Sequence, residues 1–174
     1  LLAVLDEVRD RAMILVLLRT GMRIGELLGT HVTDVNLSER KIAIYEAEKN
    51  GVGRVVYISK DALCALKAWL RRRDPNNVLL FYGQGRSSLT YHGARLMFMK
   101  YVKKAGLGHK GYTLHCLRHT FASEMLNAGM RLECLQPLLG HSNIEVTRRY
   151  AKLTDKTREE EYFRAMEIIE RGEI

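Results

Sequence analysis

The sequence is poor in the residues that cross-link, break or anchor a chain. Of 174 residues only two are proline and three are cysteine. Cys64, Cys116 and Cys134 are odd in number and widely spaced, which argues against a disulfide framework and favours a reducing, intracellular setting. The longest apolar run, from Ala12 to Leu18, is far shorter than the roughly 18 residues that a membrane span requires. The sequence therefore predicts neither a disulfide-stapled protein nor a membrane protein.

Acidic residues are also in deficit, with 20 Asp and Glu against 28 Lys and Arg, a formal net charge of +8. That excess favours a polyanionic partner, because Lys and Arg that contact DNA phosphates release condensed counterions. The length suits one domain and is too short for two ordinary ones. We find no signal peptide and expect a cytoplasmic protein. Because the sequence starts in a helix-like pattern without Met, we expect it to be a fragment.

What the sequence does have is helical periodicity, punctuated by glycine and by capping residues. Leu5, Val8, Ala12, Leu15 and Leu18 are spaced to lie on one face of a first helix, which Gly21 ends. Capping residues predict further helices over 59–73, 90–106, 113–129 and 142–150, a shorter one that ends at Leu139, and a last charged one from Thr154 or Asp155.

One stretch alternates with the period of two that is typical of strands. Lys41 to Tyr45 alternates, Arg54 to Ile58 is rich in β-branched residues, and Asn50-Gly51 between them is a pair favoured in tight hairpin turns. The sequence therefore predicts an α+β fold that is mostly α, a helical domain with one small antiparallel β-hairpin or sheet.

Two segments in the first third place a cationic side chain beside a structural break. Arg23 lies at a helix junction, and Glu26 is three residues further on, where its carboxylate can hold the guanidinium. Lys49 lies next to Asn50-Gly51 on the hairpin, from which an ammonium could reach into a groove and act as an acid. Taken singly, a surface ion pair and a solvated lysine are the simpler explanations.

Two further segments lie near predicted helix starts. His115 and Arg118 are three residues apart on one face near the start of a helix, where backbone amides favour anions, and arginine offers a fork that matches phosphate oxygens. His141 precedes another helix start, and Tyr150 lies nine residues later at that helix's end. A lone tyrosine in such a place is normally a packing residue.

A zinc site is an alternative interpretation of the segment that contains His115, because His115 and His119 have the i, i+4 spacing of a metalloprotease helix. That motif needs glutamate as general base where Cys116 stands, and no third ligand has a convincing spacing. We therefore expect no metal, and we interpret His119 as a packed or hydrogen-bonded core residue.

The order of these residues is more informative than any one of them. The segments TGMRIGEL, EKNGVGRVVYIS, LHCLRHTFASEML and LLGHSNIEVTRRY resemble the tyrosine recombinase (phage integrase) family, over about Arg11 to Tyr150. The resemblance implies the catalytic-domain fold of that family and cleavage of DNA through a 3′-phosphotyrosyl intermediate with a free 5′ hydroxyl. It implies no cofactor, because the tyrosyl ester stores the energy of the broken bond.

Carried over residue by residue, the resemblance makes Tyr150 the nucleophile. It assigns Arg23 and Arg118 to the scissile phosphate, and it matches Glu26 to the acidic residue that supports the first arginine.

The resemblance matches His115 and His141 to two further hydrogen-bonding positions and Lys49 to the general acid of the hairpin. Lys49 is located by counting five residues back from Arg54, because the family's usual glycine-lysine-glycine lead-in reads Glu-Lys-Asn here.

The resemblance also implies how the chain is organised. Residues 1–174 would form the catalytic domain, without the family's N-terminal core-binding domain. The expected partners are a double-stranded DNA recombination site, three further copies in a homotetramer on DNA, and an accessory directionality factor as a further candidate. The free chain is expected to be a monomer with no membrane partner, located at the nucleoid if it is prokaryotic.

The last predicted helix, 155–171, carries a narrow apolar stripe of Tyr162, Phe163, Met166 and Ile169 on a charged background. Members of the family exchange a C-terminal segment between protomers. The stripe therefore fits packing on a partner, and it fits packing on its own domain equally well.

Two other functions fit part of the pattern. A type IB topoisomerase-like strand transferase shares the phosphotyrosyl chemistry, but the compact domain and the GHSN motif favour a recombinase. A non-catalytic helix-turn-helix DNA-binding protein accounts for the charge and the helices. It gives no reason for the ordered set of Arg, Lys, His, Arg, His and Tyr.

Overall fold

Two clusters of buried apolar side chains organise the fold, which the computed structural model describes for residues 1–46, 51–83, 85, 87–140 and 155–172. The helices of these residues are α1 (Val8–Thr20), α2 (Ile24–Gly29), α3 (Lys60–Leu70), α4 (Tyr91–Lys104), α5 (Leu114–Asn127), α6 (Leu132–Leu139) and α7 (Asp155–Arg171). Short 3-10 turns cover residues 2–4, 32–34 and 108–110. None of the helices described is both long enough and apolar enough to cross a membrane.

The strands form one antiparallel sheet in the order β1 (Val35–Asn36), β2 (Lys41–Glu46) and β3 (Gly51–Tyr57). Ile42 pairs with Val56, and both side chains are buried against the helices. The predicted fold class and hairpin are confirmed. β1 was not predicted, because a strand of two residues is too short to show an alternating pattern.

Helix α1 lies at the centre of the larger cluster and packs against α3 and α5. Its side chains are buried from Ala12 to Leu17 without a break, so the single apolar face that the spacing predicted was too narrow. A helix that other elements cover on several sides does not need a polar face. Gly21 ends the helix as predicted, in the left-handed conformation with φ 65°.

The capping residues located most helix starts correctly. Ser59 and Thr90 each accept a hydrogen bond from the backbone N–H three residues later, so α3 and α4 begin directly after them. Helix α3 ends at Leu70 and not at Arg73 as predicted. The reason is that the buried Arg73 side chain donates to the carbonyls of Asn77 and Leu79, which folds the following turn back onto the helix end.

Helix α7 packs on the smaller cluster, which α5, α6 and the end of β3 also build. Tyr162 and Met166 of the predicted stripe are buried, and Phe163 and Ile169 are partly buried beside them. The Tyr162 hydroxyl donates to the carbonyl of Arg19 at 2.8 Å. In this single chain the stripe therefore lies on its own domain, and packing on a partner stays a prediction.

We expect Tyr162→Ala to lower the free energy of unfolding by about 3–5 kcal/mol, because it empties the centre of the smaller cluster. Phe163→Ala is the matched control, since its ring is only partly buried beside Tyr162. Its loss should be clearly smaller, about 1–2 kcal/mol. Urea unfolding measures both values, and equal losses would show that α7 does not depend on the buried ring.

Candidate functional site

The turn between α1 and α2 positions Arg23 at the first turn of α2. Gly21 makes this turn possible, because it adopts a left-handed backbone conformation and lies directly against α5. A Cβ atom built on Gly21 would be 2.4 Å from the Phe121 ring, well inside van der Waals contact. The chain therefore turns sharply at the surface of α5, and Arg23 follows with its side chain 48% exposed.

Glu26 holds Arg23 as the sequence predicted. Its Oε2 accepts a hydrogen bond from the backbone N–H of Arg23 at 2.8 Å, and its Oε1 accepts one from Nη1 of the Arg23 guanidinium at 3.0 Å. The same carboxylate also binds Arg54 of β3 through both oxygens, with Nη1–Oε1 at 2.9 Å and Nη2–Oε2 at 2.6 Å. Glu26 thus has a second and tighter partner, and the sequence analysis did not predict this contact.

The ionisation of Glu26 follows from these contacts. Burial alone would raise the pKa of the carboxyl group, because it disfavours the charged form. The hydrogen bonds from Arg54 and from the Arg23 backbone outweigh burial, so the pKa of Glu26 lies below its ordinary value. Glu26 is therefore a carboxylate at neutral pH.

Arg118 of α5 is almost fully buried, at 6% exposed. Its Nη1 donates to the carbonyl of Gly21 at 2.7 Å and its Nη2 donates to the carbonyl of Leu139. Burial, and after it the nearby charges of Arg23 and Arg54, lower the pKa of Arg118 to about 10. The guanidinium is still cationic at neutral pH, and its described partners are carbonyl dipoles.

The C-terminal end of α6 brings the three arginines together. Nε of Arg54 donates a hydrogen bond to the carbonyl of Leu138 at 2.8 Å, and Arg118 donates one to the carbonyl of Leu139. Nη2 of Arg23 donates to the carbonyl of Gly140 at 2.9 Å. The last carbonyls of a helix have no partner within it and carry its negative dipole end, so cations are favoured there. Three guanidiniums and one carboxylate thus meet at one helix end, an arrangement suited to binding an anion.

His115 and His119 lie on the surface of α5, and their rings meet edge to face with centroids 4.5 Å apart. The prediction that His119 is a core residue is wrong. The buried face of α5 is formed by Leu114, Leu117 and Phe121, and His119 lies off that face.

Cys116, which stands where a metalloprotease would need glutamate, takes part in the cap of α5. Its Sγ accepts the backbone N–H of Thr113 at 3.4 Å, and this hydrogen bond lowers the pKa of the thiol. Among the residues described, no group of three or more His, Cys, Asp and Glu side chains converges as metal ligands would.

Lys49, His141 and Tyr150 lie outside the described residues. The described elements end beside them in the sequence. Lys49 lies in the connection between β2 and β3, and His141 directly follows Gly140 at the end of α6. Of the predicted site residues, the structure therefore brings together Arg23, Glu26 and Arg118, and it places His115 one helical turn before Arg118.

Comparisons with known proteins find relatives along most of the chain. The sequence model of the phage integrase family matches residues 1–157. The tyrosine recombinase XerA of Pyrococcus horikoshii is 36% identical over 159 residues, which are 90% of this chain and 54% of that protein. The chain therefore spans about half the length of the curated relatives that it matches.

Solved structures show the same fold. The crystal structure of XerA recombinase superposes with a TM-score of 0.74 at 32% identity, over 90% of this chain and 58% of that one. The integrase of transposon Tn1549, solved in complex with circular intermediate DNA, superposes with a TM-score of 0.67 at 28% identity, over 88% of this chain and 57% of that one.

We expect Gly140→Ala to destabilise the chain more than Gly129→Ala does. Both glycines have positive φ, 64° and 86°, so both variants share the penalty of a left-handed alanine. A Cβ atom on Gly140 would also lie 2.6 Å from Nη1 of Arg54, whereas one on Gly129 would meet nothing within 4 Å.

Arg54 cannot give way without releasing Glu26, so the difference in unfolding free energy should be about 1–3 kcal/mol. Denaturant unfolding of both variants measures it. Equal losses would mean that Arg54 is not held tightly at the helix end.

Proposed function

This chain belongs to the phage integrase family, and we propose that it is the catalytic domain of a site-specific tyrosine recombinase. The observation that carries the proposal is the meeting of Arg23 and Arg118 at the end of α6, directly before the segment that contains His141 and Tyr150. The order of Arg, Lys, His, Arg, His and Tyr along the chain supports the same conclusion.

The two arginines suit the first requirement of DNA cleavage. A phosphodiester is anionic and repels nucleophiles, so a catalyst must neutralise the charge that its transition state spreads over the non-bridging oxygens. We assign this task to Arg23, which is open to the solvent, and to Arg118, which its carbonyl partners hold in place. Glu26 fixes the orientation of Arg23 from behind.

The remaining roles complete one balanced displacement. The hydroxyl oxygen of Tyr150 attacks the phosphorus, the bond to the 5′ oxygen breaks, and a 3′-phosphotyrosyl ester forms. Lys49 gives a proton to the departing 5′ oxygen, while His115 and His141 hydrogen-bond the phosphate and share the movement of the phenol proton. Attack by the 5′ hydroxyl of a partner strand reverses these steps and exchanges the strands.

The expected substrate is a double-stranded recombination site, since a net charge of +8 favours phosphates and the Tn1549 integrase was solved on DNA. We propose that the protein acts at the nucleoid as a DNA-bound homotetramer, with α7 able to pack on a neighbouring protomer. An accessory directionality factor and a role in a mobile genetic element belong to the same proposal.

The alternatives are not favoured, because the relatives found are recombinases and integrases. A type IB topoisomerase-like enzyme would relax a supercoiled plasmid as a single copy, without partner copies, whereas a recombinase resolves a Holliday junction. A helix-turn-helix protein would do neither. Both assays on the same preparation therefore separate the three functions.

We expect Tyr150→Phe to abolish covalent attachment to DNA and to leave DNA affinity nearly unchanged. The substitution removes only the attacking oxygen from a ring that keeps its shape. The measurement is trapping on a nicked suicide substrate, from which a short strand is lost after cleavage so that rejoining is prevented.

Tyr112→Phe is the matched control, because it removes the hydroxyl of an exposed tyrosine just before α5. It should trap DNA as the wild type does. A wild-type yield of adduct from Tyr150→Phe would exclude Tyr150 as the nucleophile.

We expect Lys49→Ala to cleave normal DNA slowly and to recover on a substrate with sulfur in place of the bridging 5′ oxygen. A thiolate leaves without being protonated, so the loss of a general acid no longer matters. Single-turnover cleavage of both substrates measures the recovery.

Arg118→Lys provides the comparison, because a lysine cannot reproduce the planar fork, and the fork stabilises the transition state with either leaving group. It should be slow on both substrates. Equal slowness of Lys49→Ala on both would assign Lys49 a positional role instead.

A further inference from the structure

We propose that Arg54 is a positioning residue that takes up most of the charge of Glu26 through a two-pronged contact, so that Glu26 holds the Arg23 guanidinium by a single contact and leaves it available for the phosphate of the substrate. The inference rests on the proposed function, because it assigns Arg23 the role of phosphate ligand. It gives a role to Arg54, which the sequence motifs supplied only as the landmark for locating Lys49.

The division of Glu26 between two arginines is unequal. Arg54 meets both carboxylate oxygens with its two terminal nitrogens, at 2.9 Å and 2.6 Å. The Arg23 guanidinium makes a single contact with Oε1, at 3.0 Å. The two-pronged pair is also the buried one, with side chains 9% and 17% exposed for Arg54 and Glu26. Paired forks of this kind are the stronger form of the interaction, so Arg54 is the main side-chain partner of the carboxylate and the Arg23 guanidinium is the weaker one.

Every nitrogen of Arg54 already has a partner in the protein, and the side chain is only 9% exposed. Its Nε donates to the carbonyl of Leu138, and its other two nitrogens donate to Glu26. The backbone of Gly140 lies so close to the guanidinium that a Cβ atom there would overlap it. Arg54 therefore acts through Glu26 and through the end of α6, and it does not touch the phosphate itself.

Removing Arg54 would change the partner of Glu26. A partly buried carboxylate that has lost its main cation is left with Arg23 as its nearest partner, and it should take that guanidinium with both oxygens. Arg23 would then be turned towards Glu26 and its charge would be neutralised. The site would lose a phosphate ligand although Arg23 itself is still present.

This reasoning predicts an unusual interaction between two substitutions. Arg54→Gln should slow the formation of covalent DNA adduct by at least about tenfold, since one charged donor to the transition state is withdrawn. Adding Glu26→Gln should raise the rate again, by about tenfold over Arg54→Gln alone, because the competing carboxylate is gone. If Arg54 merely supported the structure, the second substitution would add its own loss and the double variant would be as slow or slower.

The dependence on pH is a second readout that a structural role would not move. Among the residues that the structure describes, the charged groups that face Glu26 are Arg23 from the turn, Arg54 from β3 and Arg118 from α5. Without Arg54, burial raises the pKa of Glu26 with less opposition, so the carboxylate is protonated as the pH falls and Arg23 is released. The rate of Arg54→Gln relative to wild type should rise at lower pH, and this rise should vanish in the double variant.

Arg19→Gln is the matched control. Arg19 is also nearly buried, at 11% exposed, and it binds two carboxylates at 3.0 Å, Asp61 and Glu124, neither of which contacts Arg23. It should lower the urea midpoint as Arg54→Gln does, while the adduct rate of the folded protein stays within about twofold of wild type. If Arg54→Gln does not fold, Arg54→Lys with and without Glu26→Gln makes the same test, since lysine cannot form the two-pronged contact.

The outcomes separate this inference from the proposed function. Failure of the wild-type chain to trap DNA overturns the proposed function. Trapping by wild type together with an unimpaired Arg54→Gln, or with a double variant no faster than Arg54→Gln, overturns the role of Arg54 and leaves the proposed function in place.

Discussion

The unpaired carbonyls at the end of α6 are the constraint on which the site depends. Every helix ends in carbonyls without partners inside the helix, and here three consecutive ones each take a different arginine, Arg54, Arg118 and Arg23. These arginines come from β3, from α5 and from the turn after α1. One helix end thus fixes the relative positions of three elements that are distant in the sequence, and it does so with dipoles that leave the cationic charge in place.

The same helix links the site to the smaller apolar cluster. The side chains of Leu138 and Leu139 are buried with Tyr162 and Met166 of α7, while their carbonyls face the arginines. A change in how α7 is seated would therefore act on the residues that orient Arg54 and Arg118. Leu138 and Leu139 thus contribute side chains to the apolar cluster and carbonyls to the arginine site. The apolar stripe of α7, which packs on those side chains, therefore supports the site as well as the core.

Local signals in the sequence predicted much of this architecture. Capping residues, Gly21 and the alternating hairpin each act within a few residues, and so does the contact between Arg23 and Glu26. Arg54 could not be predicted, because its partners are 28 and 84 residues away and an arginine in a strand looks like a solvated side chain. His119 was misjudged for a related reason: which face of α5 is buried depends on the elements that cover it.

The way in which Arg118 is held has a consequence for the free protein. Carbonyl dipoles accept hydrogen bonds from Arg118 but do not cancel its charge, so Arg118, Arg23 and Arg54 repel one another and folding must overcome that repulsion. The arginine cluster at the end of α6 is in this sense a frustrated part of the native state, less stable than its packing alone would make it. An anion bound there would relieve the repulsion, and the free energy released would contribute to its affinity, since a ligand that binds only the folded state also stabilises it.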